Sequence, residues 1–449
     1  MKVHCKYQSN TAAILFNAEK YISLNQKWKC ISVNSKGQKV LSNTRPRHAY
    51  RSIRECRWTT FIATCQTVKN PISLEFAVEE TTANLPLRYS VKERLPVVAC
   101  FSPLFFNERW QMIALSVESY ASSGVSKQAY YIMSVLKDVY DILKEYEKQK
   151  MIDINFWGLP RHPNARNQLD WRNQAAAHAD CYLKYREAAE FIIISDVDDF
   201  LFPRQGSDIY TELEIMARTK PKMASFFYPR FESEIIAAKT FKNFNIAESL
   251  KSIRISDKRQ TGKSIHRTAL VETVWIHWAD LKKNNAPYHK LDPADNAFIH
   301  VRNWTFLDKY DDVRLLNNVV YGYRKHPYYP DLTSIVPTNF IPFLEKRFNA
   351  RFSSKYSLHN LTSSEIYYDK INECYDGMLE KVADFYRYPY FKSLICPTPA
   401  RCSISAVPNL PCAVAQGIYK TIQLADNFFI DYLISRHKID IIQNGCIIN

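Results

Sequence analysis

One stretch of this chain limits its fold more than any other: Phe191-Ile-Ile-Ile-Ser195 carries no charge and runs straight into Asp196-Val-Asp-Asp199. A short, continuously apolar run is the form of a strand buried on both faces, as in a parallel sheet. Three carboxylates within four residues repel one another and raise each other's pKa unless a cation compensates them. The step from one to the other reads as a strand that leaves the core and delivers acids to the carboxyl edge of a sheet. Open α/β sheets bind their ligands at that edge. The plainer alternative is an acidic turn capping the next helix, or a solvated loop. The apolar strand before the cluster and Phe200-Leu-Phe202 after it weigh against that alternative.

The upstream sequence has the matching rhythm. Val97-Val-Ala-Cys-Phe101 is a second apolar run, followed by a helix expected over about 108–122 with Trp110, Ile113, Val117 and Tyr120 on one face. A strand over 129–135, a charged helix over 137–150 and a strand over 152–157 come next. A loop rich in Pro, Arg and Asn covers 158–168, and a helix over 170–186, with Asp170 as its N-cap, leads into Phe191. Alternation of this kind predicts an α/β fold with an open, mostly parallel sheet and helices on both faces. Residues 1–95 read as a small β-rich module, 96–345 as the α/β domain, and 346–449 as a mixed, partly helical, Cys-bearing extension. Helices are expected in that extension around 364–386 and 414–436.

A chain of 449 residues exceeds one ordinary core, and 46% hydrophobic with 23% charged residues is the composition of a folded protein. The net charge of +15 favours anionic partners. Its basic residues are scattered, with pairs such as Lys258-Arg259 and Lys282-Lys283 as the densest clusters, which argues against nucleic acid. A diphosphate-bearing small molecule suits this charge better. The 11 Cys fall mainly in the flanks (Cys5, Cys30, Cys56 and Cys65, then Cys374, Cys396, Cys402, Cys412 and Cys446). None has C-x-x-C spacing, so disulfides of the secretory pathway are expected rather than a zinc ribbon, with one thiol left over. Against this, residues 1–25 hold no continuous apolar stretch, and no window reaches the roughly 18 apolar residues that a membrane span needs. The sequence as written shows neither signal peptide nor anchor.

Oxygen ligands of this kind suit Mg²⁺ or Mn²⁺. A metal on Asp196, Asp198 and Asp199 would bridge the diphosphate of a sugar nucleotide and neutralise the leaving group. A haloacid-dehalogenase-type phosphatase also ends a strand in D-x-D, with Asp196 as nucleophile and Asp198 as general acid. Here, however, α/β structure precedes the motif, and Asp199-Phe200 replaces the usual small residue and Thr. A catalytically inactive glycan-binding protein on the same fold stays open as well.

Three segments together, Val97-Val-Ala-Cys-Phe-Ser-Pro-Leu-Phe-Phe-Asn-Glu-Arg-Trp110, Trp171-Arg-Asn-Gln-Ala-Ala-Ala-His-Ala-Asp-Cys181 and Phe191 to Phe200, resemble glycosyltransferase family 92 over roughly 95–345. The resemblance implies a GT-A-type fold and transfer of galactose from UDP-galactose to a glycan or glycoprotein acceptor, with inversion and a divalent metal, often Mn²⁺. It also implies residence in the Golgi membrane, from which this chain departs by showing no anchor. Such folds hold uridine or ribose after the first strand, where Asn107 and Glu108 stand, although an N-cap with a first-turn acid explains that pair equally well. Arg172 is a candidate for the diphosphate and Gln174 stands beside it, while an exposed polar face is the plainer reading of both. His178 belongs to an apolar helical stripe and reads as core. His277 and His300 are the downstream histidines that would complete a metal site, and His300 with Arg302 resembles the family's H-x-R segment. An inverting transferase also needs a carboxylate base; Glu232, Glu234 and Asp280 are the candidates.

Overall fold

The computed structural model describes residues 2–6, 10–20, 26–51, 55–159, 167–310, 324–337, 339–353, 355, 358–387, 396–398, 401–417, 419–425, 428–433 and 438–446. Its centre is a nine-stranded mixed sheet. Four strands are parallel and lie in the order Ile152–Phe156, Lys127–Ile132, Val97–Phe101, Phe191–Ser195. In chain order this is 3-2-1-4, so the direction of winding reverses between Val97–Phe101 and Phe191–Ser195. A crevice opens at such a reversal, beyond the carboxyl ends of the two strands.

The all-apolar sequence of these strands has the expected cause, because both faces are covered. Val97, Ala99, Phe101 and Ile193 pack in the core that includes helices Trp110–Ser122 and Lys137–Lys148. Val98, Cys100, Ile192 and Ile194 pack on the other side against Ala177, Cys181 and Tyr182 of helix Gln174–Tyr185. A Cys100–Cys181 disulfide ties that helix to the sheet.

The run of four adjacent parallel strands ends at Phe191–Ser195. Two long strands, Ser225–Ala238 and Arg254–Arg267, follow as an antiparallel pair; Phe298–Leu307 then runs parallel to Ser225–Ala238, and Asp199–Phe200 pairs antiparallel with it. Gly262 permits the close contact of the long pair. A Cβ there would lie 2.1 Å from the Tyr228 carbonyl oxygen, a clash no side chain can relieve.

The N-terminal residues form a five-stranded and a four-stranded sheet that enclose Phe16, Trp28, Phe61 and Phe76, with Cys30–Cys65 joining them. One edge shares a core with the rest of the chain: Leu15, Tyr50 and Ile62 pack with Ala175, Leu183 and Ile276.

Two expectations need correction. The segment expected as a helix over 414–436 is instead strand, with Cys412–Gln416, Tyr419–Ala425 and Phe428–Leu433. Its apolar and polar residues alternate in twos, as in Ile422-Gln-Leu424, and Gly417 interrupts any helical register. The other extension helix is present as Tyr368–Arg387. Asp170 does not cap a helix either. It is buried and opens a short turn, Asp170–Asn173, and the α-helix starts only at Gln174.

Ten cysteines pair. Besides the two bridges above, these are Cys56–Cys396, Cys374–Cys402 and Cys412–Cys446. The side chain of Cys5 and part of the 158–168 loop lie outside the described residues. No helix among the described residues is long and apolar enough to cross a membrane.

Candidate functional site

The acidic cluster sits at the reversal. Asp196 continues the Phe191–Ser195 strand and faces the loop that leaves Val97–Phe101. Ser102 Oγ donates to Asp196 Oδ1, as does Gln174 Nε2 at 3.1 Å. Its other oxygen accepts from Lys263 Nζ at 2.6 Å, with Arg230 Nη1 at 3.4 Å. Burial pushes this carboxyl up, but the Lys263 ammonium and the Arg230 guanidinium outweigh burial and hold it well below the usual carboxylate range. Asp199 is fully buried and takes Arg230 Nη1 on both oxygens, at 3.1 and 3.2 Å. There burial wins and its pKa is raised. Lys263, itself wholly buried, lies 3.8 Å from Asp199. Two built-in cations thus neutralise Asp196 and Asp199.

Asp198 has a different partner. Asp199 pairs with His300 across the strands, and His300 Nε2 comes within 3.2 Å of Asp198 Oδ2. Burial raises the Asp198 pKa, His300 lowers it by more, and the net shift is downward. Ligand atoms of Asp198, Asp199 and His300 all lie within 4.8 Å of one another. This mixed carboxylate and imidazole set could bind a divalent metal. Asp196, whose oxygens are engaged elsewhere, is outside that group.

Asp196, Asp198 and His300 line an open cleft of about 630 Å³, the size of a small-molecule site. Its lining also includes Asn107, Arg109, Arg172, Arg302, Tyr368 and Tyr375, together with Arg230, Gln260, Thr261 and the Trp275–Trp278 segment. Arg109 is buried, stacks on the Tyr368 ring with 3.3 Å from guanidinium carbon to centroid, and leaves Nε and Nη1 without partners.

Glu108 has a role that the sequence did not suggest. Its carboxylate accepts from the backbone N–H groups of Ile366, Tyr367 and Tyr368 at 2.7, 3.0 and 2.8 Å. It therefore caps helix Tyr368–Arg387 from outside, where an anion is favoured, and so positions the tyrosines of the cleft wall.

Arg172 stands in a strained turn. Trp171, Arg172 and Asn173 all have left-handed backbone, with φ of 40°, 63° and 60°, which costs roughly 1–2 kcal/mol per residue outside glycine. Neighbours on both sides enforce it. Trp171 N–H donates to the Pro397 carbonyl at 2.8 Å, next to the Cys56–Cys396 bridge, and Asn173 exchanges hydrogen bonds with Asn17 at 3.0 and 2.9 Å. The turn holds Arg172 over Phe105 and Tyr375 and delivers Gln174 to Asp196.

The remaining expected positions fall outside the metal group. His277 lines the cleft, but its Nδ1 is 2.8 Å from the Gly262 carbonyl oxygen and it is not among the clustered ligands. His178 is fully buried, 3.2 Å from Ser102 Oγ. Neither Glu234 nor Asp280 lines the cleft. Glu234 pairs across strands with Arg254, and Asp280 accepts from the Arg51 backbone N–H of the N-terminal sheets. Glu232 lies behind the wall, bound by Gln260 and by Lys258 at 3.0 Å. Lys263 and Arg230 were missed. Ten residues of Arg254–Lys263 include four Lys or Arg, and only the pairing of Tyr228 with Lys263 turns this one inward.

An acid-rimmed cleft at the winding reversal of a parallel sheet is the layout of α/β enzymes that hold small ligands at the carboxyl edge. The sequence narrows the class. The profile of glycosyltransferase family 92 matches residues 95–348, and the chain belongs to that family. Among Caenorhabditis elegans relatives, family 92 protein F59C6.8 is 28% identical, covering 98% of this chain and 86% of its own length. Family 92 protein F13G3.3 is 29% identical over 78% of this chain and 70% of its own. The solved structure of S. aureus TarS residues 1–349 in complex with UDP superposes with a TM-score of only 0.22 at 11% identity, over 59% of this chain and 73% of that one. A superposition that loose bears on nothing further. The chain is a glycosyltransferase, and the acidic cluster lies within the matched region.

Proposed function

We propose that this glycosyltransferase moves a hexose, galactose from UDP-galactose, to a hydroxyl of a glycan or glycoprotein with inversion, on a GT-A-type scaffold in the secretory pathway. The observation that carries the reading is the pair Asp198 and His300, 3.2 Å apart at the cleft. Asp198 and His300 would hold a divalent metal, Mn²⁺ before Mg²⁺, with Asp199 behind them. When bound, the metal neutralises charge on a diphosphate leaving group. Asp196 belongs to the same site as the fixed centre that Lys263 and Arg230 hold in place. Arg172 is the donor of charge-assisted hydrogen bonds to the diphosphate. Asn107, on the loop after the first strand, contacts the nucleoside. The ten paired cysteines suit an oxidising compartment.

Purified protein incubated with UDP-galactose, Mn²⁺ and a glycan panel tests this. The expected outcome is UDP release that a chelator abolishes and Mn²⁺ restores. Phosphate release with covalent labelling at Asp196, or glycan binding with no turnover, would replace the reading with a phosphatase or a binding protein.

A further inference from the structure

The segment Trp275-Ile-His-Trp278 lines the cleft beside the Arg254–Arg267 strand and has no part in the metal group. It is a tight reversal closed by the Trp275 N–H on the Trp278 carbonyl oxygen at 2.8 Å, with Val274 and Ala279 bridged just outside it. Two anchors fix it. Ile276 is buried in the core shared with helix Gln174–Tyr185, and His277 Nδ1 meets the Gly262 carbonyl oxygen. Between the anchors the two indoles lie together, centroids 4.4 Å apart at 34°. Trp275 backs onto the core, and Trp278 is 45% exposed. The part of the Trp278 indole not covered by Trp275 leaves apolar surface in water within the cleft, which a ligand face could cover. Gln260 and the exposed Thr261 hydroxyl border it in the same cleft.

We infer that Trp278, backed by Trp275, is a stacking subsite for a neutral pyranose ring of the acceptor glycan. A pyranose offers one face of C–H groups to an aromatic plane and hydroxyls at its edge to polar neighbours. Galactose is suited to this, because C3–H, C4–H and C5–H point to one face. The rival flat ligand is the base of a nucleotide. The nucleotide side of such a sheet is the loop after the first strand, at the winding reversal; the indoles stand instead beside the antiparallel Arg254–Arg267 strand. This inference rests on glycosyl transfer as the function, and on UDP-galactose only in its control arm.

Saturation-transfer NMR on the full chain, with methyl β-galactopyranoside and separately with UMP, tests it. Trp278→Ala is expected to weaken galactoside binding about tenfold, and Trp278→Phe to keep most of it, with UMP binding unchanged in both. In turnover the acceptor KM rises about tenfold in Trp278→Ala while kcat stays within about twofold. Galactoside binding undiminished in Trp278→Ala overturns the inference, and so does loss of the UMP signal. Hydrolysis of UDP-galactose without acceptor is read in parallel. Its absence alongside Trp278-dependent galactoside binding would sink the donor assignment and leave the subsite standing.

Discussion

Asp196 and Asp198 belong to one motif, two residues apart, and the fold puts them to different uses. On the Asp196 side, charge is balanced from within: Lys263 at 2.6 Å, Arg230 at 3.4 Å and the Ser102 and Gln174 side chains occupy its oxygens. On the Asp198 side, the partner is a histidine that can also ligate; exposure does not separate the two acids, at 25% for Asp196 and 21% for Asp198. A buried charge without its counter-charge is expensive, so the first side has to be complete before any ligand arrives. The second can afford to wait for one. Spacing within D-x-D does not distinguish these two roles; the strands packed behind each acid do.

The largest expected effect breaks the Asp196 side. Lys263→Ala leaves two carboxylates facing each other with one cation fewer, and should cost about 3–5 kcal/mol in denaturant unfolding. Lys263→Met tolerated without loss would show that the internal balance is unimportant. On the Asp198 side, His300→Ala should weaken Mn²⁺ binding about 10–100-fold, read by calorimetry, with little change in stability.

Acid should erode the buried floor beneath Asp196 before it reaches the carboxylates. Burial, with Lys263 nearby, pushes His178 down to about 3, and burial likewise takes His266 to about 3. A base depressed on folding contributes stability that is fully present above its unfolded pKa near 6.5 and is lost as pH falls toward the folded value. Each should therefore cost about 2 kcal/mol by pH 5, and unfolding midpoints measured from pH 7 to 5 check this. Substitution of both by Gln should flatten the dependence. The depressed carboxylates act in the same direction only at lower pH, as it falls below the unfolded carboxylate range toward their folded values. The smallest effect concerns the turn that serves both sides. Asn17→Ala removes the brace on Asn173 and should lower stability by about 1 kcal/mol while raising the donor KM a few-fold. An unchanged KM would separate the N-terminal sheets from the cleft.

Much of the parallel half was legible, because a strand buried on both faces is written as an uninterrupted apolar run, and Val97–Phe101 and Phe191–Ser195 are of that kind. The acidic cluster was legible for the same reason, since its place at the strand end gave it meaning. What could not be read was set by pairing across long separations. Lys263 looks like its neighbours Lys258 and Arg259 until Arg254–Arg267 is laid beside Ser225–Ala238. Glu108 looked like a first-turn acid of its own helix, and its true partners lie more than 250 residues on, at the N-terminus of Tyr368–Arg387. The left-handed turn at Trp171–Asn173 carries no glycine to announce it; tertiary contacts from Asn17 and Pro397 impose it. The strands after Cys412 were misread although their signal was local: the alternation of Ile422-Gln-Leu424 and the break at Gly417 favour strand over helix.

In the proposed site Asp198, and not Asp196, meets the metal. The most direct test of this compares Asp198→Asn with Asp196→Asn in melting temperature and in Mn²⁺-dependent release of UDP from UDP-galactose. Asp198→Asn is expected to melt within about 2 °C of wild type yet lose UDP release about 10²–10³-fold, while Asp196→Asn is destabilised outright. Full UDP release by Asp198→Asn, or release indifferent to a chelator in the wild type, would contradict that assignment.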